Sequence, residues 1–516
     1  MEPVPPGPIA AEAAPAGGRP AGGQAPIPPP FPVPPARPRR PRRHYFLLRQ
    51  GADRRIIIGA LASGLIFDVA ARSGLATIAG TLWVCATAAA LLIGGRARGW
   101  PPRFLIAAAP AFALLFVFRS SPWVLAPAVF AVVLALLVGV SLGADSDGLG
   151  MTFPALGTRI AIAIGHLTLA GGMLRPHAEG NHGEAARRRA AAVARGTMLG
   201  VPVLLVIGAL LAAADPIFRS WFDLSSITRH VVLISAGAWA LVGLTRAASA
   251  RQPSPALPPA KALGVIEASC VLGSLCALYT AFVAAQFIAL SAGGRHVLLT
   301  RGLTYAQYAR SGFFELLACA AITLVVLLGV RACAGRDVLV LNVLSGLTVA
   351  LTLGVVIVAI GRLRLYEAAY GLTMLRLACV VAAVWIGVVL LLLGATIPRR
   401  GLPRRLFPAV AAISGLLVVG AWGIANPASI VARANLARIS QGQRFDVHEA
   451  ANLGPDAIPV LVAGLGRLAP PQGAELRRAL CGRPPGGHAG MALNISLARA
   501  ATALASVCGS AGHRGQ

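Results

Sequence analysis

Long apolar runs, broken by short polar stretches rich in arginine, set the pattern of this chain. The runs fall near Ile56–Ala71, Leu75–Gly94, Phe104–Phe118 and Trp123–Gly143. A second set lies near Thr197–Ala214, Val231–Ala247, Leu263–Leu290 and Phe313–Val330, and a third near Val338–Ile360, Leu372–Thr396 and Leu406–Ile424. Each approaches the ~20 residues that a helix needs to cross hydrocarbon. A further run, Phe153–Leu174, is ambiguous, because it carries Arg159, His166 and four glycines. The fold class expected is all-α: a polytopic transmembrane helical bundle of about 11 spans, with 12 as the alternative.

The arginines orient these runs. The loops that hold Arg96, Arg98 and Arg103, then Arg187–Arg189, Arg246, Arg251 and Lys261, Arg331 and Arg336, and Arg399–Arg405 all read as cytoplasmic by the positive-inside rule. Alternation works from the N-terminus to Asp145 and Asp147, and again from the Arg187 loop onward. The two halves agree only if Phe153–Leu174 does not cross, so that it is interfacial or re-entrant. The N-terminus is then inside and the C-terminus outside. If Phe153–Leu174 crosses, the C-terminus is cytoplasmic.

Two flanking zones differ from the bundle. Residues 1–43 are rich in Pro, Gly and Ala and end in Arg37, Arg39, Arg40, Arg42 and Arg43. Such a segment buries too little surface to offset its ordering entropy, and reads as a disordered cytoplasmic tail. The transmembrane domain is assigned to 44–424. From 425 to 516 apolar and polar residues alternate at helical spacing, with Asp446 and Asp456 placed as helix starts. This is expected to be a small helical extracytoplasmic domain. Its two cysteines, Cys481 and Cys508, are a candidate disulfide in a compartment that permits one. The competing reading is a pair of free thiols near a frayed end.

Composition supports the class. Of 516 residues 56% are apolar and 12% charged, against the ~25% charged share of soluble domains. Mean hydropathy is +0.73. The formal net charge is +28, nearly all of it from Arg. In a soluble domain that would point to nucleic acid. Here the clusters sit between apolar runs, without the aromatic platforms that nucleic-acid binding needs. The partner they fit is the lipid bilayer with its anionic headgroups, not nucleic acid. Protein partners and oligomeric state are unknown from sequence.

Familiar catalytic chemistry is missing. The sequence has no P-loop, no HExxH and no CxxC. No catalytic residue, cofactor or metal ligand set is assigned. What remains are ionisable groups at bilayer depth, which are costly and therefore candidates for function. These are Asp68, Asp215 and Glu267. Two stretches dense in polar aromatics form a candidate polar cluster: Tyr305, Tyr308, Arg310 and Glu315 from one, and Arg364, Tyr366, Glu367, Tyr370 and Arg376 from the other. The plainer reading places them in an interfacial aromatic belt, with charges snorkelling to water.

The chain resembles the bacterial membrane proteins of domain-of-unknown-function family 4173, a sibling of family 4153. The resemblance rests on ordered pieces: Ala214-Asp215-Pro216-Ile217-Phe218, Thr304 to Leu316, and Leu365 to Leu377. Asn426-Pro427, Ala432 to Leu436, Asp446 and Gly454 to Pro459 continue it, over roughly Thr197 to Arg499. It implies an inner-membrane architecture and no reaction. The expected role is a non-enzymatic one in transport, sensing or envelope assembly. The alternative is a membrane-embedded enzyme acting on a lipid-linked substrate at the outer leaflet. Polar residues converging at headgroup level under a lateral opening would favour the enzyme. A polar path reaching Glu267 or Asp68 at the midplane would favour transport.

Overall fold

The computed structural model describes residues 54–94, 99–142, 153–168, 170, 224–249, 263–291, 312–333, 338–397, 402–483, 486 and 490–509. All regular structure among them is helical, and nine helices there are long and apolar enough to cross a membrane. The proposed run Thr197–Ala214, the tail 1–43, and Tyr305, Tyr308, Arg310 and Asp215 lie outside the described residues.

The first group of helices is α1 (Arg54–Ser73), α2 (Ile78–Ile93), α3 (Trp100–Ala113) with its short continuation α4 (Leu115–Phe118), α5 (Pro122–Leu142), α6 (Phe153–Thr168) and α7 (Leu224–Ser249). Proline opens several helices because the first turn needs no amide donor; Pro101, Pro102 and Pro122 are examples. α1 and α7 pack antiparallel and very close. A Cβ on Gly64 would meet the Ile234 carbonyl oxygen at 2.3 Å, and one on Gly237 would meet Phe67 Cβ at 2.5 Å. In lipid, where apolar association has no hydrophobic drive, such small-residue contacts are what hold helices together.

The second group is α8 (Val265–Ser291), α9 (Phe313–Cys333), α10 (Leu339–Tyr370) and α11 (Met374–Gly394). Its core of Leu272, Leu327, Leu390 and neighbours is crossed by hydroxyl contacts, with Tyr279 Oη on Thr323 Oγ1 and Cys276 Sγ on Thr348 Oγ1 at 3.2 Å. α12 (Phe407–Ala425) packs on α5 of the first group and α11 of the second. Large apolar side chains such as Leu61, Phe130, Val325 and Leu417 point away from the protein, as a hydrocarbon surround requires.

Two helices are shorter than a span. α2 has 16 residues, about 24 Å at 1.5 Å per residue, so the run expected to cross from Leu75 to Gly94 is helical only from Ile78. α6 also has 16 residues. Its end lies beside the middle of α7: Trp239 Nε1 donates to the Leu167 carbonyl at 2.8 Å, and Gly243 abuts Leu167.

α12 ends at Asn426, which has φ +55° and caps the next helix by accepting from the Ser429 amide at 3.2 Å. The chain thereby turns into five short helices: α13 (Pro427–Ile439), α14 (Val447–Ala451), α15 (Ile458–Gly464), α16 (Pro470–Cys481) and α17 (Ile495–Cys508). Their core of Val431, Leu436, Leu461, Leu476 and Leu504 extends to Met374 at the start of α11. A disulfide joins Cys481 to Cys508 with a Cα–Cα separation of 5.7 Å. Asp446 starts α14, accepting from the Glu449 amide at 2.9 Å.

Candidate functional site

The polar residues concentrate where this C-terminal domain meets one end of the bundle. Three loops at that end, α1–α2, α4–α5 and α10–α11, are gripped by side chains of the domain. Asp456 lies, as the sequence expectation placed it, at a helix start, in the short 3-10 helix Pro455–Ala457 that leads into α15, but its side chain does not cap that helix. It is 4% exposed, and its carboxylate accepts the Ser121 amide at 2.9 Å, the Ser120 amide at 3.1 and 3.2 Å, and the hydroxyls of Ser120 and Ser496. The spacing to a local cap gave no hint of this, because the partners lie 335 and 336 residues upstream.

Asn494, 1% exposed, donates to three carbonyls: Ala76 at 3.1 Å, Phe116 at 2.9 Å and Arg119 at 2.9 Å. Arg119 in turn reaches across the end of α12, donating to the Gly423 carbonyl at 2.7 Å and the Ile424 carbonyl at 2.8 Å. A cation there neutralises the negative end of the helix dipole. Burial pulls the Arg119 guanidinium below its ordinary pKa; the Asp456 carboxylate raises it, and Arg499 lowers it.

On the second helix group the grip is made by α13. Asn435 brackets Leu372, accepting its amide at 2.9 Å and donating to its carbonyl at 2.8 Å. Arg438 donates to the carbonyls of Glu367 and, at 2.9 Å, Ala368. The C-terminal domain is thus tied to both helix groups. His230, Asn435, Arg438 and Asn494 were not singled out for a role by sequence; Asn435 and Arg438 merely follow an apolar helical stripe on α13.

The candidate polar cluster divides. Gly371, with φ +86°, ends α10 and lets α11 fold back beside it. Arg376 then lies over the Tyr366 ring at 4.1 Å and donates to the Gly371 carbonyl, while Tyr366 and Tyr370 sit 4.9 Å apart. Glu367 shares this corner and has one buried carboxylate oxygen without a hydrogen-bond partner among the described residues. Arg364 is exposed on the same helix. Glu315 is not part of this group. It lies exposed in the first turn of α9, and no ion pair joins it to an arginine among the described residues. Its neighbours Phe313 and Leu316 take the inward face instead.

Of the intramembrane ionisable residues, the two that are described, Asp68 and Glu267, lie near helix ends rather than at the midplane. Asp68 is five residues from the end of α1. It pairs with Arg72 at 2.9 Å and with His230 Nδ1 of α7 at 2.9 Å. Glu267 is exposed in the first turn of α8, its carboxylate folded back over Gly264. No group of three or more metal-type ligands occurs among the described residues.

Helix geometry separates the Arg376 corner from the other notable feature nearby. A cavity of about 670 Å³ is bordered by Ala378, Ala382 and Trp385 of α11. At 3.6 residues per turn, Trp385 lies half a turn from Arg376, on the opposite face.

No curated protein and no solved structure matches the chain. The family model for a domain of unknown function, DUF4153, matches residues 105–464, from α3 through the last residue of α15. That is more than half of the chain, and the protein belongs to this family.

Proposed function

We propose that the protein is a multi-pass protein of the bacterial inner membrane, akin to family 4173, that serves envelope assembly by holding its C-terminal domain over the outer face of the bundle. The observation that carries this is the double grip of that domain, by Asp456 and Asn494 on the first helix group and by Asn435 and Arg438 on the second. A domain so held presents a fixed outer surface to envelope components instead of swinging on a tether. The arginine-rich loops argue that the opposite end is cytoplasmic. The short reach of α6, ending beside the middle of α7, supports a re-entrant segment and about 11 crossings.

Ion-coupled transport is supported less well, since Asp68 and Glu267 sit near helix ends. The enzyme reading keeps one specific observation, the Glu367 carboxylate beside Tyr366 and Arg376. The cavity alongside α11, however, opens on its other face.

Two experiments test this. Alkaline phosphatase and a fluorescent protein are fused separately after Leu468. Active phosphatase with a dark fluorescent partner is expected; the reverse pattern would place the domain in the cytoplasm. In a strain lacking the protein, resistance to detergents excluded by an intact envelope should fall. The wild type should restore it, and an inserted Asp456→Ala, Asn494→Ala double variant should not. An intact envelope in the deletion strain would remove the assembly role.

A further inference from the structure

The cavity between the helix groups has a length that matches a single leaflet. Its lining runs from Trp123 to Leu134 on α5, from Ala378 to Val389 on α11 and from Ala411 to Trp422 on α12. Each stretch covers eleven helical rises, about 16 Å at 1.5 Å per residue. The hydrocarbon core is ~30 Å thick, so this is about half of it. Trp123 stands in the first turn of α5 and Trp422 in the last turn of α12, both at the end where the C-terminal domain sits. The cavity therefore begins at that surface and stops near the midplane.

Its chemistry asks nothing polar of an occupant. The Trp422 indole donates to the Trp123 carbonyl at 2.8 Å, and the Trp385 indole donates to Ser414 Oγ at 3.2 Å. Small residues, Ala382, Ala412 and Gly415 among them, make the floor; a Cβ on Gly415 would already come within 3.2 Å of the Trp385 ring. An apolar cavity of this kind does not hold water. Left empty, its walls would lose dispersion contacts on one side. The medium at its open side is bilayer hydrocarbon.

We infer that this cavity is a lipid site. It holds an acyl chain of a phospholipid from the leaflet on the C-terminal domain's side, with the headgroup at the Trp123–Trp422 mouth, the depth at which indoles favour the interface. Bilayer tails are as apolar as the cavity, so shape and not hydrophobicity retains the chain. This goes beyond the envelope role and stands whichever compartment the domain faces.

The test uses the full chain purified in detergent and progressively delipidated, with bound phospholipid counted by native mass spectrometry. A photo-reactive residue is placed at Leu416, in the cavity, or at the neighbouring Leu417, 68% exposed to bulk lipid. After delipidation the Leu416 probe should still yield a phospholipid adduct and the Leu417 probe should not. Ala382→Trp, or Ala412→Leu should the first fail to fold, should reduce retained phospholipid about tenfold, a loss of ~1.4 kcal/mol. Equal loss at both probe positions, unchanged retention in folded cavity-filling variants, or a Leu416 adduct with a second copy or another protein would each overturn the assignment.

Discussion

Removing the Asp456 carboxylate should detach the C-terminal domain from the first helix group. The carboxylate is buried and accepts two amides and two hydroxyls. Hydrogen bonds to a charged group contribute ~1.5–3 kcal/mol each, and an orphaned buried donor costs ~1–3 kcal/mol. Not all four bonds count fully. Ser120 is half-buried and can turn to water, whereas Ser121 and Ser496 are 2% and 6% exposed and cannot. Two fully counted bonds give about 3–6 kcal/mol for Asp456→Ala. Asp456→Asn keeps one acceptor oxygen and nearly the same shape, and should cost about half as much. At 1.4 kcal/mol per decade, the alanine variant should speed hydrogen exchange governed by the opening equilibrium by about 10²–10⁴. The amides to follow are Ser121 and those of α13 and α17, in detergent, with α8–α10 as the internal reference. Unchanged exchange at Ser121 and α17 in the alanine variant would refute the anchoring role, however the rest of the chain behaved.

Three further outcomes follow from the same packing. Reducing the Cys481–Cys508 bond, which closes a separation of 27 residues, should destabilise the C-terminal domain by about 3.5 kcal/mol on the chain-entropy account; gel mobility should change with reductant, and labelling of both thiols in oxidising buffer would contradict it. Gly237→Ala should weaken the α1–α7 contact by about 1–3 kcal/mol, because its methyl has no room against Phe67; thermal unfolding followed by the Trp83 fluorescence beside Phe67 measures it, and a wild-type midpoint would count against the close approach. Asn435→Leu should cost about 1–3 kcal/mol by orphaning both backbone groups of Leu372, and should raise protease access at the α10–α11 turn; unchanged cleavage there would deny Asn435 that role.

How much of this was legible in the sequence depends on the range of the interaction. The apolar runs that fall in the described residues coincide with helices, although α2 is shorter than its run and α10 continues ten residues past Ile360 to Tyr370. Asp446 reads correctly as a cap because its partner is three residues away. Asp456 looks the same locally and does something else, because nothing nearby competes with amides brought from the α4–α5 turn. Asp68 stands out as an acid in an apolar run, yet its partner His230 lies 162 residues on and carries no pattern. The Tyr366–Arg376 contact needs the chain reversal at Gly371, a single glycine that sequence alone allows as a break without fixing its direction. Glu315 shows the opposite limit. Helical spacing puts it on one face, but only packing decides which face turns inward, and Phe313 with Leu316 wins by burying more apolar surface.

The distribution of polar contacts carries a consequence for how the two helix groups relate. Within the bilayer they are joined through α12, which packs on α5 and α11 mainly by apolar contact, with the Trp422–Trp123 and Trp385–Ser414 hydrogen bonds crossing it, and the lipid cavity lies beside that seam. At the C-terminal domain's end they are joined by hydrogen bonds: Asp456 and Asn494 on one side, Asn435 and Arg438 on the other, with Arg119 holding the end of α12 between them. Hydrogen bonds are directional and weaken steeply as they bend, whereas an apolar contact keeps half or more of its attraction across a gap of ~0.5–1 Å. Spreading α5 from α11 at the cavity mouth therefore strains the domain's grip and the Trp422–Trp123 bond before it strains the apolar packing of the seam. A chain that wedges the mouth and a partner that pulls on the domain act on the same few bonds. By linkage, whatever either does to the other's affinity is returned in equal measure.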